Sequence, residues 1–209
     1  MVESSTRSRE IGRPRTFSDE AIYVATAKVL ARTGNEHLTL SLIAEEVGCS
    51  PPALVQRFGS KQSLLKSYIT WNTEVRRQRF ADAASMDISP VQKIYRLAVE
   101  SEPKRPGEIT EYEGIPTAIF IYLAAWNDES FRPLVKERVE LLETELQKLV
   151  EQAIAADEIR GCDPTEMAKT LATVLAGVAL QAISLDREPV GEWTAQIIKG
   201  LLRPYLVTP

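Results

Sequence analysis

Residues 39–65 read TLSLIAEEVGCSPPALVQRFGSKQSLL, and their punctuation is that of two short helices meeting at a sharp corner. Thr39 is placed to cap a helix whose apolar face carries Ile43 and Val47 four residues apart, with Ala44 beside them. Gly48 follows the last apolar position, where a glycine takes the left-handed conformation that a helix end favours. Only Cys49 and Ser50 then separate it from Pro51. Ser50 is a second N-cap, and proline suits the first helical position because the N–H it lacks has no intrahelical acceptor there. Ser50-Pro51-Pro52 therefore opens a helix rather than breaking one. That helix is short, with Leu54 and Phe58 four apart to face its predecessor while Gln56 and Arg57 project elsewhere. Gly59-Ser60 ends it, and Lys61 begins another.

Two helices joined by a short glycine-containing turn form a helix-turn-helix, which can set its second helix in the major groove with side chains near its N-terminus against base edges. Upstream, Ser18-Asp19-Glu20 supplies an N-cap and an acidic first turn for a helix closed by Gly34, with Ile22, Ala25 and Val29 as its buried stripe. Before it, Gly12-Arg13-Pro14-Arg15 reads as a flexible arm. Arg13 and Arg15 enter a minor groove or pair with phosphates; the other reading of the arm is a solubilising tail.

Taken together, Ile22, Ala25, Val29, Gly34, Thr39, Ile43-Ala44, Gly48-Cys49-Ser50, Leu54, Phe58, Ser60-Lys61 and Leu64-Leu65 resemble, in their joint spacing, the TetR (tetracycline repressor) family of bacterial transcriptional regulators. The rest of the chain matches that family in length and helical character. By position, the resemblance implies a DNA-facing set: Ser50, Pro51, Pro52 and Ala53 at the tip, where the last three face bases, and Thr39, Val55, Gln56 and Lys61 along the phosphates of a double-stranded operator. Two positions depart from the pattern. Val55 stands where the family usually has Tyr, and Arg57 where it often has Tyr or His before the Phe. Val55 has no donor for a phosphate, so Arg57 either replaces that contact or reads guanine O6 and N7 bidentately. A Pro-Pro-Ala tip offers apolar contacts such as thymine methyl groups, which shifts sequence choice toward Gln56, Arg57 and DNA shape.

At 209 residues and 44% hydrophobic, the chain is long enough to bury a real core. The apolar run at residues 115–126 is too short to span a bilayer, and residues 1–15 hold no apolar signal core, which points to a cytoplasmic address without a membrane partner. The net charge of −4 conceals a split: 12 Lys and Arg against 8 Asp and Glu through residue 80, then 13 against 21. A basic N-terminal module that approaches phosphates and a larger acidic body fit that division. His37 is the only histidine, and no G-x-S-x-G, Walker loop or Gly-rich dinucleotide turn occurs. No catalytic, cofactor or metal site is expected, and an enzyme is set aside. Cys49 and Cys162 form no disulfide framework; Cys49 is expected to pack inward and Cys162, beside Gly161, to be more exposed, a thiol switch being the other reading of each.

From residue 61 onward the pattern is all-α. A helix over about 61–84 leaves the small domain as a coupling rod, apolar near its start at Leu64, Leu65, Tyr68 and Ile69. Its Arg76, Arg77 and Arg79 are a solvated face or an extra phosphate strip. Further helices are expected over about 90–101, 116–126 and 128–156, with a loop at 102–107. The last carries Val135, Val139, Leu142, Leu146, Leu149 and Ala153 at alternating spacings of four and three, as packing inside a bundle or a coiled-coil seam requires. Asp163-Pro164-Thr165-Glu166 opens the next helix with a capping-box-like signature, and Ala168, Ala172, Ala176, Gly177 and Ala179 along it permit close approach of another helix. Pro189-Val190 starts a final helix bearing Trp193, Ile197, Ile198, Leu201 and Leu202. These last two helices make a four-helix homodimer interface, as the resemblance also implies, or complete the monomer core. One tip reads few base pairs, so two half-sites and a palindromic operator are expected.

Tyr95, Tyr112, Phe120, Tyr122 and Trp126, with Phe131 and the carboxylates Glu100, Glu102, Glu111 and Glu113 near them in sequence, suit a pocket for a cationic or amphipathic small-molecule effector, or else plain core beside a solvated loop. By the resemblance, such a ligand changes the separation of two reading heads and weakens DNA binding. The expected organisation is a flexible basic arm (1–17), a three-helix DNA-binding domain with the helix-turn-helix (18–66) and a larger helical bundle for ligand binding and dimerisation (67–209). The expected function is ligand-responsive repression from an operator bound as a homodimer; the alternative is a helical small-molecule- or partner-binding protein of the same fold that reads no operator.

Overall fold

Small hydroxyl side chains open the N-terminal helices. Ser18 Oγ accepts from the Ala21 N–H at 3.1 Å at the start of α1 (Asp19–His37), and Thr39 Oγ1 accepts from Leu42 at 3.2 Å at the start of α2 (Leu40–Val47). After α3 (Pro51–Phe58), Ser60 Oγ accepts from Ser63 at 3.1 Å and opens α4 (Lys61–Ala84). The computed structural model describes residues 17–99, 111–185 and 190–207. Within them α5 (Pro90–Val99), α6 (Glu111–Asn127), α7 (Arg132–Ala155), α8 (Pro164–Leu185) and α9 (Val190–Leu202) complete an all-α fold. Asp163 caps α8 as its motif predicts, its Oδ1 accepting from the Glu166 N–H at 2.9 Å.

The α2–α3 corner is a backbone structure. Gly48, at φ 80° and ψ 33°, sends its N–H to the Ala44 and Glu45 carbonyls, and the next N–H, of Cys49, also ends on Ala44 at 2.8 Å. Gly59, at φ 79° and ψ −51°, makes the second corner with its N–H on the Val55 carbonyl at 2.8 Å. Both backbones lie where a Cβ is disfavoured, so glycine occupies each for conformational reasons.

Some element bounds differ from the sequence reading. The non-helical Gly34 interrupts α1, yet one further turn carries the chain to His37, whose side chain is exposed. Pro116 lies inside α6 rather than opening it; packing of α6 against α1 and α8 holds the helix through the proline. The segment after Asp128 first makes a 3-10 turn, Glu129–Phe131, because the Asp128 carboxylate takes the Ser130 N–H at 2.9 Å, and only then becomes α7. The arm with Arg13 and Arg15, and the expected loop at 102–107, lie outside the described residues.

One apolar cluster unites the three N-terminal helices with the body. Ile22, Val29, Ile43, Leu54, Leu64, Tyr68 and Ile69 pack with Ile121 and Ala124 of α6, with Phe131, and with Val135 of α7. A second cluster fills the far end with Phe80, Ile94, Leu146, Leu149, Leu171, Ile198 and Leu202. Val135, Leu142, Leu146, Leu149 and Ala153 are buried, with Val139 half-buried, and α7 packs against α4, α5, α6 and α8 as a bundle helix does. The expected seam passes over Arg138, which is only 3% exposed and donates Nη1 to Asn72 Oδ1 on α4 at 2.6 Å. At the C-terminus, a bridge between Ile159 and Leu206 ties the tail to the α7–α8 corner, Arg160 N–H donating to Tyr205 at 2.8 Å. Among the described residues, no helix is long and apolar enough to cross a membrane.

A Cβ at Gly48 would meet no atom within 4 Å, so Gly48→Ala isolates the conformational cost. It is expected to destabilise by about 1 kcal/mol, lowering the melting temperature by about 3 °C. Thermal unfolding by circular dichroism checks this; an unchanged midpoint would mean the corner is not held left-handed.

Candidate nucleic-acid interface

The short helix α3 is anchored by two side chains. Leu54 is buried and Phe58 half-buried, while Pro51, Pro52, Ala53, Val55, Gln56 and Arg57 are exposed. Val55 is 47% exposed despite its apolar character, because the 3.6-residue period turns it away when Leu54 turns inward. Phe58 continues inward through Tyr23, whose ring centroid lies 6.1 Å away, and Tyr23 stacks on through Trp71 at 5.4 Å. The face expected to meet DNA is thus presented by a helix whose opposite face joins the main core.

Ser50 occupies the N-cap position, but its side chain makes no capping hydrogen bond. Pro51 and Pro52 remove the N–H groups of the first two helical positions, and the next one, of Ala53, donates to the Ser50 carbonyl at 3.0 Å. The expected side-chain cap is therefore corrected to a backbone one. A helix start normally offers free N–H groups to a phosphate, and here proline rings stand in their place. The tip is suited to apolar contact with base edges, leaving hydrogen bonding to Ser50, Gln56 and the neighbouring helices.

Thr39 lies exposed at the start of α2, its oxygen engaged as the cap. Lys61 is half-buried and donates Nζ to the Asn35 carbonyl at 3.0 Å, joining the start of α4 to the end of α1; burial lowers the pKa of its ammonium. Arg57 also turns back. Its Nη1 donates to the Phe17 carbonyl at 2.5 Å, its Nε meets Asp19 Oδ1 at 2.6 Å, and its guanidinium carbon lies 6.0 Å from the Phe58 ring centroid. The structure brings Ser50, Pro51, Pro52, Ala53, Val55 and Gln56 together on one exposed element and engages Arg57 and Lys61 with α1 and with Phe17 ahead of it. Phe17, Asp19 and Asn35 escaped the sequence reading because their partners lie dozens of residues away; the one signal was Asp19, read only as a favourable first-turn charge.

A second polar junction links α4 to the body. Gln62 Nε2 donates to the Asp128 carboxylate and to Ser130 Oγ, and Lys66 Nζ lies 5.6 Å from the Phe131 ring centroid. Hydrogen bonds from Ser130, and then from Gln62, hold the Asp128 carboxyl below its ordinary range. Further along α4, Arg77 pairs with Glu74 at 3.1 Å and with Glu137 of α7 at 3.6 Å. Those contacts fit the solvated-face reading of that arginine.

The aromatic residues expected to surround an effector have different environments. Phe120 is buried and Tyr122 half-buried against the first apolar cluster. Tyr95 packs half-buried against the second, where burial raises its phenol pKa and Lys199 Nζ lies 5.6 Å from its ring centroid. Trp126 is 88% exposed, and the side chain of Tyr112 lies outside the described residues. Cys49 is half-buried against the core, and Cys162 is half-buried as well. Burial, then the Asp163 charge, raise the Cys162 thiol pKa, which disfavours the reactive thiolate. Among the described residues, no group of three His, Cys, Asp or Glu converges to hold a metal ion.

Residues 22–68 match the family described as bacterial regulatory proteins, tetR family. No curated protein matches the chain. Its fold is similar to a TetR transcription regulator from Haloarcula marismortui, at 21% identity and TM-score 0.75 over 90% of this chain and 98% of that one. It is also similar to a putative TetR-family transcriptional regulator from Rhodococcus sp., at 21% identity and TM-score 0.69 over 88% and 97%. A third similar structure is a putative transcriptional regulator from Saccharomonospora viridis in complex with choline, at 15% identity and TM-score 0.76 over 91% and 98%.

Truncation separates the anchor of α3 from its exposed face. Leu54→Ala is expected to cost about 3 kcal/mol through lost burial and the cavity left behind. Val55→Ala and Gln56→Ala should each change stability by less than about 0.5 kcal/mol. Chemical denaturation of the three variants measures this, and equal losses at all three would show the outer face to be packed.

Proposed function

We propose that this chain, whose residues 22–68 match the family described as bacterial regulatory proteins, tetR family, is a cytoplasmic, ligand-responsive transcriptional repressor that binds a palindromic double-stranded operator as a homodimer. The observation that carries the reading is the exposed run Pro51, Pro52, Ala53, Val55 and Gln56 on a helix whose Leu54 is locked in the core. Exposed backbone and side chains at a helix tip, displayed by a rigid three-helix unit, suit the major groove. In this reading Pro51, Pro52 and Ala53 meet bases, and Ser50, Thr39, Val55, Gln56 and Lys61 lie near the phosphates, with the basic arm carrying Arg13 and Arg15 adding charge. Binding is the activity; no reaction is assigned.

Pairing of two copies falls to α8 and α9. Leu180 is 58% exposed on α8, flanked along the same face by Thr173, Ala176, Gly177 and Ser184, and Trp193, Ile197 and Leu201 of α9 are only half-buried. An apolar face with small residues lets helices approach closely, and a two-fold axis through it would set two α3 tips for two half-sites. The effector is assigned to the body around α6. That helix packs against α1 and α8 and carries Phe120 and Tyr122, so a ligand that displaced it would be felt at the reading head and at the pairing face. The Gln62–Asp128–Ser130 junction supports the same route, since the α6–α7 corner is tied to the first turn of α4. The complex of the Saccharomonospora viridis protein with choline supports a small ligand for a protein of this architecture.

Selection from a random DNA library with purified protein tests the reading. A symmetric consensus is expected, and affinity for it should fall with salt at about −0.9 logarithmic units per phosphate neutralised. Lys61→Ala should weaken all sequences alike. Recovery of no preferred site would leave a helical ligand- or partner-binding protein instead. Leu180→Glu should convert a dimer into a folded monomer that no longer holds the selected site, as read by analytical ultracentrifugation and DNA titration. A wild-type monomer at micromolar concentration would refute the pairing.

A further inference from the structure

We propose that Arg57 is a positioning residue, a splint that fixes α3 on α1, rather than a group that reads DNA. This rests on the reading of α3 as the DNA-facing helix. The side chain leaves the last turn of α3 and spans to the start of α1, with Nη1 on the Phe17 carbonyl at 2.5 Å and Nε on Asp19 Oδ1 at 2.6 Å. The planar fork suits two acceptors at once, which a lysine ammonium on a flexible stem does not reproduce. Stacking beside Phe58, and Phe58 beside Tyr23, continues the contact into the core. Burial, and then the Asp19 charge, raise the pKa of the Tyr23 phenol, with Arg57 opposing, as the closeness of the two charges and both rings requires.

The cluster has a mechanical consequence. Leu54, in the middle of α3, sets which face is buried and Gly59 ends the helix, while the last turn adds a second hold against rotation about the helix axis. Arg57 supplies that hold from the side of α3 next to the point where residues 1–16 join. An arginine directed at guanine would have to leave Asp19 and Phe17, exchanging two hydrogen bonds of the free protein for two in the complex.

Charge gives the experiment opposite signs for the two roles. Asp19→Asn removes a negative charge near the DNA-facing helix and loosens Arg57, which keeps its bond to the Phe17 carbonyl, so a direct DNA contact predicts tighter binding to every sequence. The splint predicts the reverse, a loss of about fivefold on the selected site with an unchanged base preference. Arg57→Lys keeps the charge: the splint predicts a loss similar to that of Arg57→Ala, whereas a phosphate contact predicts near wild-type affinity. The double variant Asp19→Asn/Arg57→Lys should be no worse than either single one. Tighter binding by Asp19→Asn, or retention by Arg57→Lys, overturns the proposal. A thermal-unfolding cycle on Asp19→Asn, Arg57→Ala and their double variant reads the tie without DNA; additive effects overturn it, and non-additive ones sustain it. Should the wild-type protein select no DNA, the regulatory reading fails, while this cycle still decides whether the splint exists.

Discussion

An eight-residue helix that begins with two prolines has no stability of its own, so the orientation of α3 is wholly borrowed from what it packs against. Leu54 at full burial is the central contact, and the corners at Gly48 and Gly59 restrict how the chain can arrive and leave. The outward set follows from this. Once Leu54 points into the core, helical geometry directs Pro52, Ala53, Val55 and Gln56 away from it. The exposed face of α3 is a by-product of one buried leucine and two glycine corners at positive φ.

The same core extends beyond the N-terminal helices. Phe120, Ile121 and Ala124 of α6, with Phe131 and Val135, complete the cluster that holds α1 and α4. A boundary drawn between residues 66 and 67 therefore cuts through a continuous apolar unit. A separate small domain on a linker would swing freely, whereas a shared core transmits a displacement of α6 because close-packed side chains do not compress. The polar tie from Gln62 to Asp128 and Ser130 lies at the rim of that contact. Packing thus joins the N-terminal helices to the body, with the Gln62 hydrogen bonds at its rim.

Charge placement shows where pattern and structure part. The basic excess before residue 80 suggests a cationic face, yet Arg57, Lys61 and Arg77 are engaged with Asp19, the Asn35 carbonyl, and Glu74 and Glu137. A count of charges is blind to partners that arrive from elsewhere in the chain. Arg138 is the clearest case: at an inward position of α7 it interrupts an apolar series and is satisfied in part by Asn72, a residue of α4 with no signal in its own neighbourhood. Among the described residues, Tyr95, Phe120, Tyr122 and Trp126 have different environments for a related reason, since nearness along the chain across two helices does not place side chains on facing sides.

Thr39, Gly48, Ser60 and Asp163 marked their helix ends in the sequence alone, because caps and left-handed turns are settled among residues a few positions apart. The apolar spacing of Ile22, Ala25 and Val29, or of Leu142, Leu146 and Leu149, likewise fixed inward faces before any neighbour was known. Tertiary structure alone decided that α6 would run through Pro116 and that Arg57 would fold back onto Asp19. Those outcomes depend on which groups become neighbours when distant segments meet, and the free energy of such a contact resides in the pair, with no trace in either residue's local sequence.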